Sequence, residues 1–235
     1  MYRFSMQVFA LFVSLIFLLP KQLDAQCEHN SSTSKLSGEL YHQRIIYAGS
    51  PFFLDNWFNG DVFLESGEVV KDQLLRYNAL EDELIWKEPV SSRLIKLDKM
   101  LISAFTIKQN NILYFERISS ITKGTFRVSN EFLQILHKGK YTLYACRWVE
   151  KTAQMESIYI GGRGQSALLI KPKTTYYIKF LDGSVSSIAL GLNSFVNFFS
   201  SEIEISRKLL RNQGLNIKNE AQLIDAVKWA ETFSK

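Results

Sequence analysis

Across residues 61–190, apolar and polar side chains alternate in short runs bounded by Gly, Asn, Asp and Pro. A period of two is the repeat of an extended chain with one buried face, because successive side chains of a strand point to opposite sides. The runs pair around turn signals. Val62-Phe63-Leu64 and Val69-Val70 flank Ser66-Gly67, where glycine supplies the positive φ of a tight hairpin. Leu84-Ile85-Trp86 faces Leu94-Ile95 across Pro89, and residues 101–107 face residues 112–115 across Gln109-Asn110-Asn111. Residues 132–136 face residues 141–148 across Lys138-Gly139, and residues 176–180 face residues 185–190 across Asp182-Gly183. About ten strands with short connections predict a mainly β, α+β fold, an antiparallel meandering or curved sheet. The strands are not interleaved with helices, which argues against a doubly wound nucleotide-binding sheet. One longer connection, residues 150–173, is expected to be a mobile hairpin tip around Gly161-Gly162-Arg163-Gly164.

After Gly191 the period becomes helical. Asn193 is placed to cap a turn carrying Phe195, Val196, Phe198 and Phe199, and Ser201 a second helix with Ile205, Leu209 and Leu210 on one stripe. Gly214 before Leu215 ends that helix as a left-handed cap. Asn219 caps the last helix, with Gln222 at the capping-box position. There Leu223, Ala226, Val227, Ala230 and Phe233 form a stripe expected to bury on the protein's own sheet or helices. The predicted organisation is an antiparallel β domain at residues 38–191 followed by a small helical segment at residues 192–235.

The N-terminus adds a location. Arg3 precedes an apolar run at residues 6–19, broken only by Gln7 and Ser14 and shorter than the ~20 residues of a spanning helix. Pro20 breaks the run, and Leu23-Asp24-Ala25 places a small residue directly before a cut after Ala25. Residues 1–25 are therefore read as a signal peptide and residues 26–37 as a flexible lead-in. Asp24 and Gln26 do not make a lipobox before Cys27. The expected location is across the inner membrane, periplasmic or outer-membrane-associated, with no integral membrane span once the signal is removed.

The formal net charge of +5 is spread along the chain, with no stripe of Lys and Arg to neutralise phosphates, so nucleic acid is not an expected partner. His29, His42 and His137 are far apart, and neither H-E-x-x-H nor C-x-x-C occurs, so no metal is expected. The glycines around Arg163 lack the lysine and hydroxyl of a P-loop, no G-x-S-x-G elbow is present, and no cofactor is implied. An oxidising compartment permits one disulfide, Cys27 with Cys146, and a buried thiol at Cys146 is the competing reading. The expected function is that of a non-enzymatic envelope protein that binds a partner protein, peptide or glycan. Its candidate ligand-binding residues are Arg163, Trp57, Asp55 and Asp61. The alternative is a hydrolase of envelope polysaccharide or peptidoglycan that uses carboxylates on the sheet, for which Asp55, Asp61, Glu81, Asp82 and Glu83 near Trp57 and Trp86 are the densest acids.

The stretch Gly49-Ser50-Pro51-Phe52-Phe53-Leu54-Asp55-Asn56-Trp57-Phe58-Asn59-Gly60, continuing through Ser66-Gly67 to Asp82-Glu83-Leu84, resembles a segment of secreted, functionally uncharacterised proteins of Bacteroidota. Lys140-Tyr141-Thr142-Leu143-Tyr144, Lys171-Pro172-Lys173-Thr174-Thr175-Tyr176-Tyr177 and the closing helices share the resemblance. It implies a Gram-negative periplasmic or envelope setting and brings no catalytic residue.

Overall fold

The computed structural model describes residues 35–43, 45–118, 121–122, 127–128, 130–200 and 207–232. The expected signal peptide at residues 1–25, Cys27, Ser201, Ile205 and Phe233 lie outside these residues. The strands are β1 (Gly38–Leu40), β2 (Tyr47–Ala48), β3 (Phe58–Leu64), β4 (Val69–Asn78), β5 (Glu83–Lys87), β6 (Leu94–Leu97) and β7 (Ile102–Lys108). They continue with β8 (Ile112–Ile118), β9 (Ile121–Thr122), β10 (Arg127–Val128), β11 (Glu131–Lys138), β12 (Thr142–Ile160), β13 (Arg163–Lys179) and β14 (Val185–Ile188). Among the described residues three α-helices follow the last strand, α1 (Leu192–Phe199), α2 (Arg207–Asn212) and α3 (Glu220–Glu231). The fold is mainly β with a C-terminal helical segment, the class expected from the alternation.

Among the described residues one open sheet runs in the order β1-β6-β5-β4-β3-β7-β8-β11-β12-β13-β14, and β9 and β10 form a separate ladder. Hairpin neighbours pair antiparallel, whereas β2 pairs parallel with β13, so the sheet is mixed. The connection expected at residues 150–173 turns at Gly161-Gly162 as a hairpin, but its two sides are long strands, β12 and β13, that pair from Thr142 with Lys179 to Ile160 with Arg163, with one register shift between Lys151 and Met155. Most of this stretch is exposed on both sides, so its sequence lacks the apolar–polar alternation that marks a half-buried strand.

The sheet is strongly curled. The Val149 N–H donates to the Ala79 carbonyl at 3.2 Å, although β12 and β4 stand five places apart in the sheet order. Laid flat, those strands would be separated by about 24 Å. The curl encloses a core in which Phe105 stacks on Phe115, with ring centroids 4.6 Å apart, and meets Phe132 edge-on at 5.0 Å. Gly60 lets β3 and β7 approach closely, since a Cβ there would lie 1.9 Å from the Thr106 carbonyl oxygen.

Leu143 and Val149 lie on one face of β12, so the helices and the aromatic core share a face of the sheet. Phe195, Phe199, Leu223, Val227 and Ala230 pack there on Tyr141, Leu143, Ile178 and Ile188. Helix α1 begins one residue before the expected Asn193 cap, with Gly191 at φ 123° in the cap position. The α3 cap forms as expected: Asn219 Oδ1 accepts from the Gln222 N–H at 3.0 Å. Gln222 Oε1 in turn accepts from the Lys218 N–H at 2.8 Å. Gly214, at φ 69°, ends α2, and the Leu215 N–H reaches back to the Leu210 carbonyl at 3.0 Å. Both ends of α3 are tied to the sheet. Arg147 forms an ion pair with Glu220 at 2.8 Å, and Glu231 Oε1 accepts from the Tyr141 N–H at 2.9 Å.

Candidate functional site

The four sequence-derived candidates fall in three separate settings. Arg163 opens β13 opposite Ile160, exposed beside the hairpin turn. Trp57 and Asp55 flank Arg76, whose guanidinium carbon lies 3.5 Å from the Phe52 ring centroid and 6.0 Å from that of Trp57. Burial lowers the Arg76 pKa, and the charge of Asp55 works against that shift. Arg76 is thus an internal cation set on the Phe52 ring, with Trp57 and the Asp55 charge beside it. Asp61 is engaged elsewhere, accepting from the Asp72 N–H and from Lys108 Nζ, each at 2.9 Å. Burial opposes its ionisation, but these two donors outweigh that and hold its carboxyl below the usual range. Asp61 thus links β3, β4 and β7.

At one end of β12 and β13 the ladder extends as an arm. The turn is Gly161-Gly162, at φ 57° and 79°, and two successive positive φ values suit a two-residue turn that follows the strand twist. Just before it Tyr159 is 80% exposed and Met155 57%, with Ile160 also exposed. Beyond Leu168 and Leu169, where β2 pairs, the described residues place no third strand beside the arm toward its tip. A two-stranded ribbon without a covering layer is marginal in water, so this arm is a surface suited to receiving another layer.

A second polar cluster sits where the turn after β4 meets β11. Tyr77 donates to Asp82 Oδ1 at 2.6 Å, the Phe132 N–H reaches the same oxygen at 3.4 Å, and Lys99 pairs with Oδ2. Asp82 and Asn130 hold left-handed backbone, φ 53° and 66°, which Asp and Asn tolerate better than bulkier residues. The Cys146 thiol donates to Glu131 Oε2 at 3.5 Å. Burial, with help from the Glu131 charge, pushes that thiol well above its ordinary range, so it is a poor thiolate nucleophile. Burial raises the carboxyls of Glu131 and Asp82; Asp82 reinforces the shift at Glu131, while Lys99 and Tyr77 oppose it at Asp82. Asp82 and Lys99 line a depression of about 510 Å³ with Glu39, Glu81, Glu83 and Lys96. Among the described residues no group of three or more His, Cys, Asp and Glu is arranged to hold a metal ion.

No family model, curated protein or solved structure matches this chain. The acidic run around Asp82 was visible in the sequence, but Tyr77, Lys99 and Glu131 join it only through the fold. The arm had one sequence signal, Tyr159-Ile160 followed by two glycines in a polar run.

The raised carboxyl of Glu131 gives a signed pH prediction. Its folded pKa lies above the unfolded value, so its contribution is fully present below about pH 4.3 and is lost as pH rises through the folded pKa. Glu131→Gln should therefore melt higher than the unaltered protein at pH 7 and depend less on pH between 4 and 7. Equal slopes for the two proteins in melting curves across that window would refute the assignment.

Proposed function

We propose that this is a non-enzymatic, secreted cell-envelope protein, periplasmic or outer-membrane-associated, that binds a partner protein or peptide through the β12–β13 arm. The observation that carries this reading is the arm itself, with Tyr159, Ile160, Met155 and Arg163 exposed on an uncovered ribbon. Aromatic and Arg side chains are the residue types that dominate binding energy when a partner desolvates them. The free main-chain edges add hydrogen bonds that an extended segment of the partner would complete. The N-terminal signal supports export, and among the described residues no helix is long and apolar enough to cross a membrane.

The test uses the full chain in its own envelope, with a photo-crosslinking phenylalanine analogue in place of Tyr159 or, as control, of Val90, which is 96% exposed. A discrete crosslinked species is expected from position 159 and not from 90, and it should disappear in the Met155→Ser, Ile160→Ser background. The same pattern from both positions sinks the proposal. A hydrolase reading draws on Asp82 and Glu131, two carboxyls whose pKa values burial raises, a shift in the direction a general acid needs. Release of soluble fragments from peptidoglycan by the purified protein, lost in Asp82→Asn, would favour hydrolysis over binding.

A further inference from the structure

On the face of the sheet opposite the helices, residues of β7 and β8 and of the β13–β14 hairpin line a common cavity. Lys179 and Gly183 line one cavity of about 440 Å³ together with Ala104, Tyr114, Glu116 and Arg117. β7 and β13 stand four places apart in the sheet order, so the cavity joins side chains of strands that are not neighbours. We infer that this cavity is a saccharide-binding site, with Glu116 and Lys179 as its polar anchors and the Tyr114 ring as its apolar wall.

The side chains that build it are held in place before any ligand arrives. Buried Tyr144 donates its hydroxyl to Glu116 Oε1, which fixes the carboxylate and leaves Oε2 with no bond among the described residues. The half-buried Tyr114 ring rests on Phe63, with centroids 5.7 Å apart. Arg117 donates to the Ile102 carbonyl at 2.8 Å and also bonds Asn130 and Glu65, so its guanidinium is a fixed part of the wall. Lys179 is an exposed ammonium on the rim, and Ala104 contributes little bulk. Preorganised groups of this kind lose little entropy when a ligand binds.

The mixture of groups selects the ligand class. A free anion meets the Glu116 carboxylate, and a free cation meets Arg117 and Lys179. An apolar ligand would strip water from three charged side chains without replacing their hydrogen bonds. A neutral polyhydroxylated ring avoids all three penalties. Its hydroxyls donate to Glu116, accept from Lys179, and leave one C–H face for the Tyr114 ring. The volume falls in the usual range of small-molecule sites, and the site is separate from the arm.

The test is amide NMR of the isotope-labelled protein titrated with cellobiose, maltose and chitobiose, each beside its monosaccharide. At least one sugar should shift the amides of Tyr114, Glu116, Lys179 and Gly183 in a saturable way. A disaccharide that binds more tightly than its monosaccharide would indicate a glycan chain as the source of the ligand, and equal affinities would indicate a free sugar. Glu116→Gln and Lys179→Ala should each weaken binding about tenfold. Lys179 is exposed, so its variant keeps the test alive if Glu116→Gln does not fold. No saturable shift at these four amides with any of the sugars, or shifts unchanged in Lys179→Ala, would overturn the inference.

Discussion

Val227→Asp should destabilise the whole protein by about 2–5 kcal/mol, a large fraction of the ~5–15 kcal/mol of an ordinary domain. Val227 is 0% exposed, packed among Leu223, Ala226 and Ala230 of α3 and the sheet residues Tyr141, Leu143 and Ile178. An aspartate there has the choice of ionising without a partner or remaining protonated in an apolar site, and both cost free energy. The loss is not confined to α3, because α3 is too short to persist alone and its buried stripe is the sheet's own cover. A chain cut after Leu190 should fail for the same reason, exposing Tyr141, Leu143, Ile178 and Ile188 to water and aggregating. Urea denaturation of the point variant and size-exclusion of the truncation are the measurements. A monomeric truncation with an unshifted melting curve would mean that these helices serve a partner instead.

Phe105→Ala should cost about 3–5 kcal/mol, the upper range for deleting a core aromatic. Phe105 is fully buried, stacked on Phe115 and touching both Phe132 and Tyr77. Those neighbours come from β4, β8 and β11, so they are fixed by separate ladders and cannot all move in to fill the space. A shift in the urea midpoint at constant m-value is the expected signature. Val90→Ala, at an exposed turn, should stay within about 0.5 kcal/mol of the unaltered protein. If Phe105→Ala were equally mild, the aromatic cluster would not be the centre of the fold.

The hairpins are legible in the chain because their information is local. Alternation sets which residues of β3, β7, β8 and β11 face inward, and Gly67, Gly183 and the Lys138-Gly139 pair mark turns that need no distant partner. The Asn219 cap and the Gly214 stop were legible for the same reason, since each acts through backbone groups within a few residues. The outer part of the β12–β13 arm was not. Exposed on both faces, it carries no periodic burial, and only the ladder with its partner strand reveals it as extended.

Tertiary structure alone decided everything that depends on curl. The joining of β3 to β7, the parallel docking of β2 on β13 and the contact of Val149 with Ala79 link segments whose sequences give no sign of one another. The sites follow from those long-range choices. Trp57 and Asp55 suggested a ligand platform, yet the fold brings Arg76 between Phe52 and Trp57. Asp61 suggested a free acid, yet Lys108, forty-seven residues later, neutralises it. Glu131, Cys146 and Asp82 become neighbours only when β11 and β12 reach the turn after β4, and Glu116 acquires its fixed geometry only from Tyr144 two strands away. Side-chain chemistry is written in the chain residue by residue, but charge pairing and desolvation depend on distance in space, which the curl of the sheet sets.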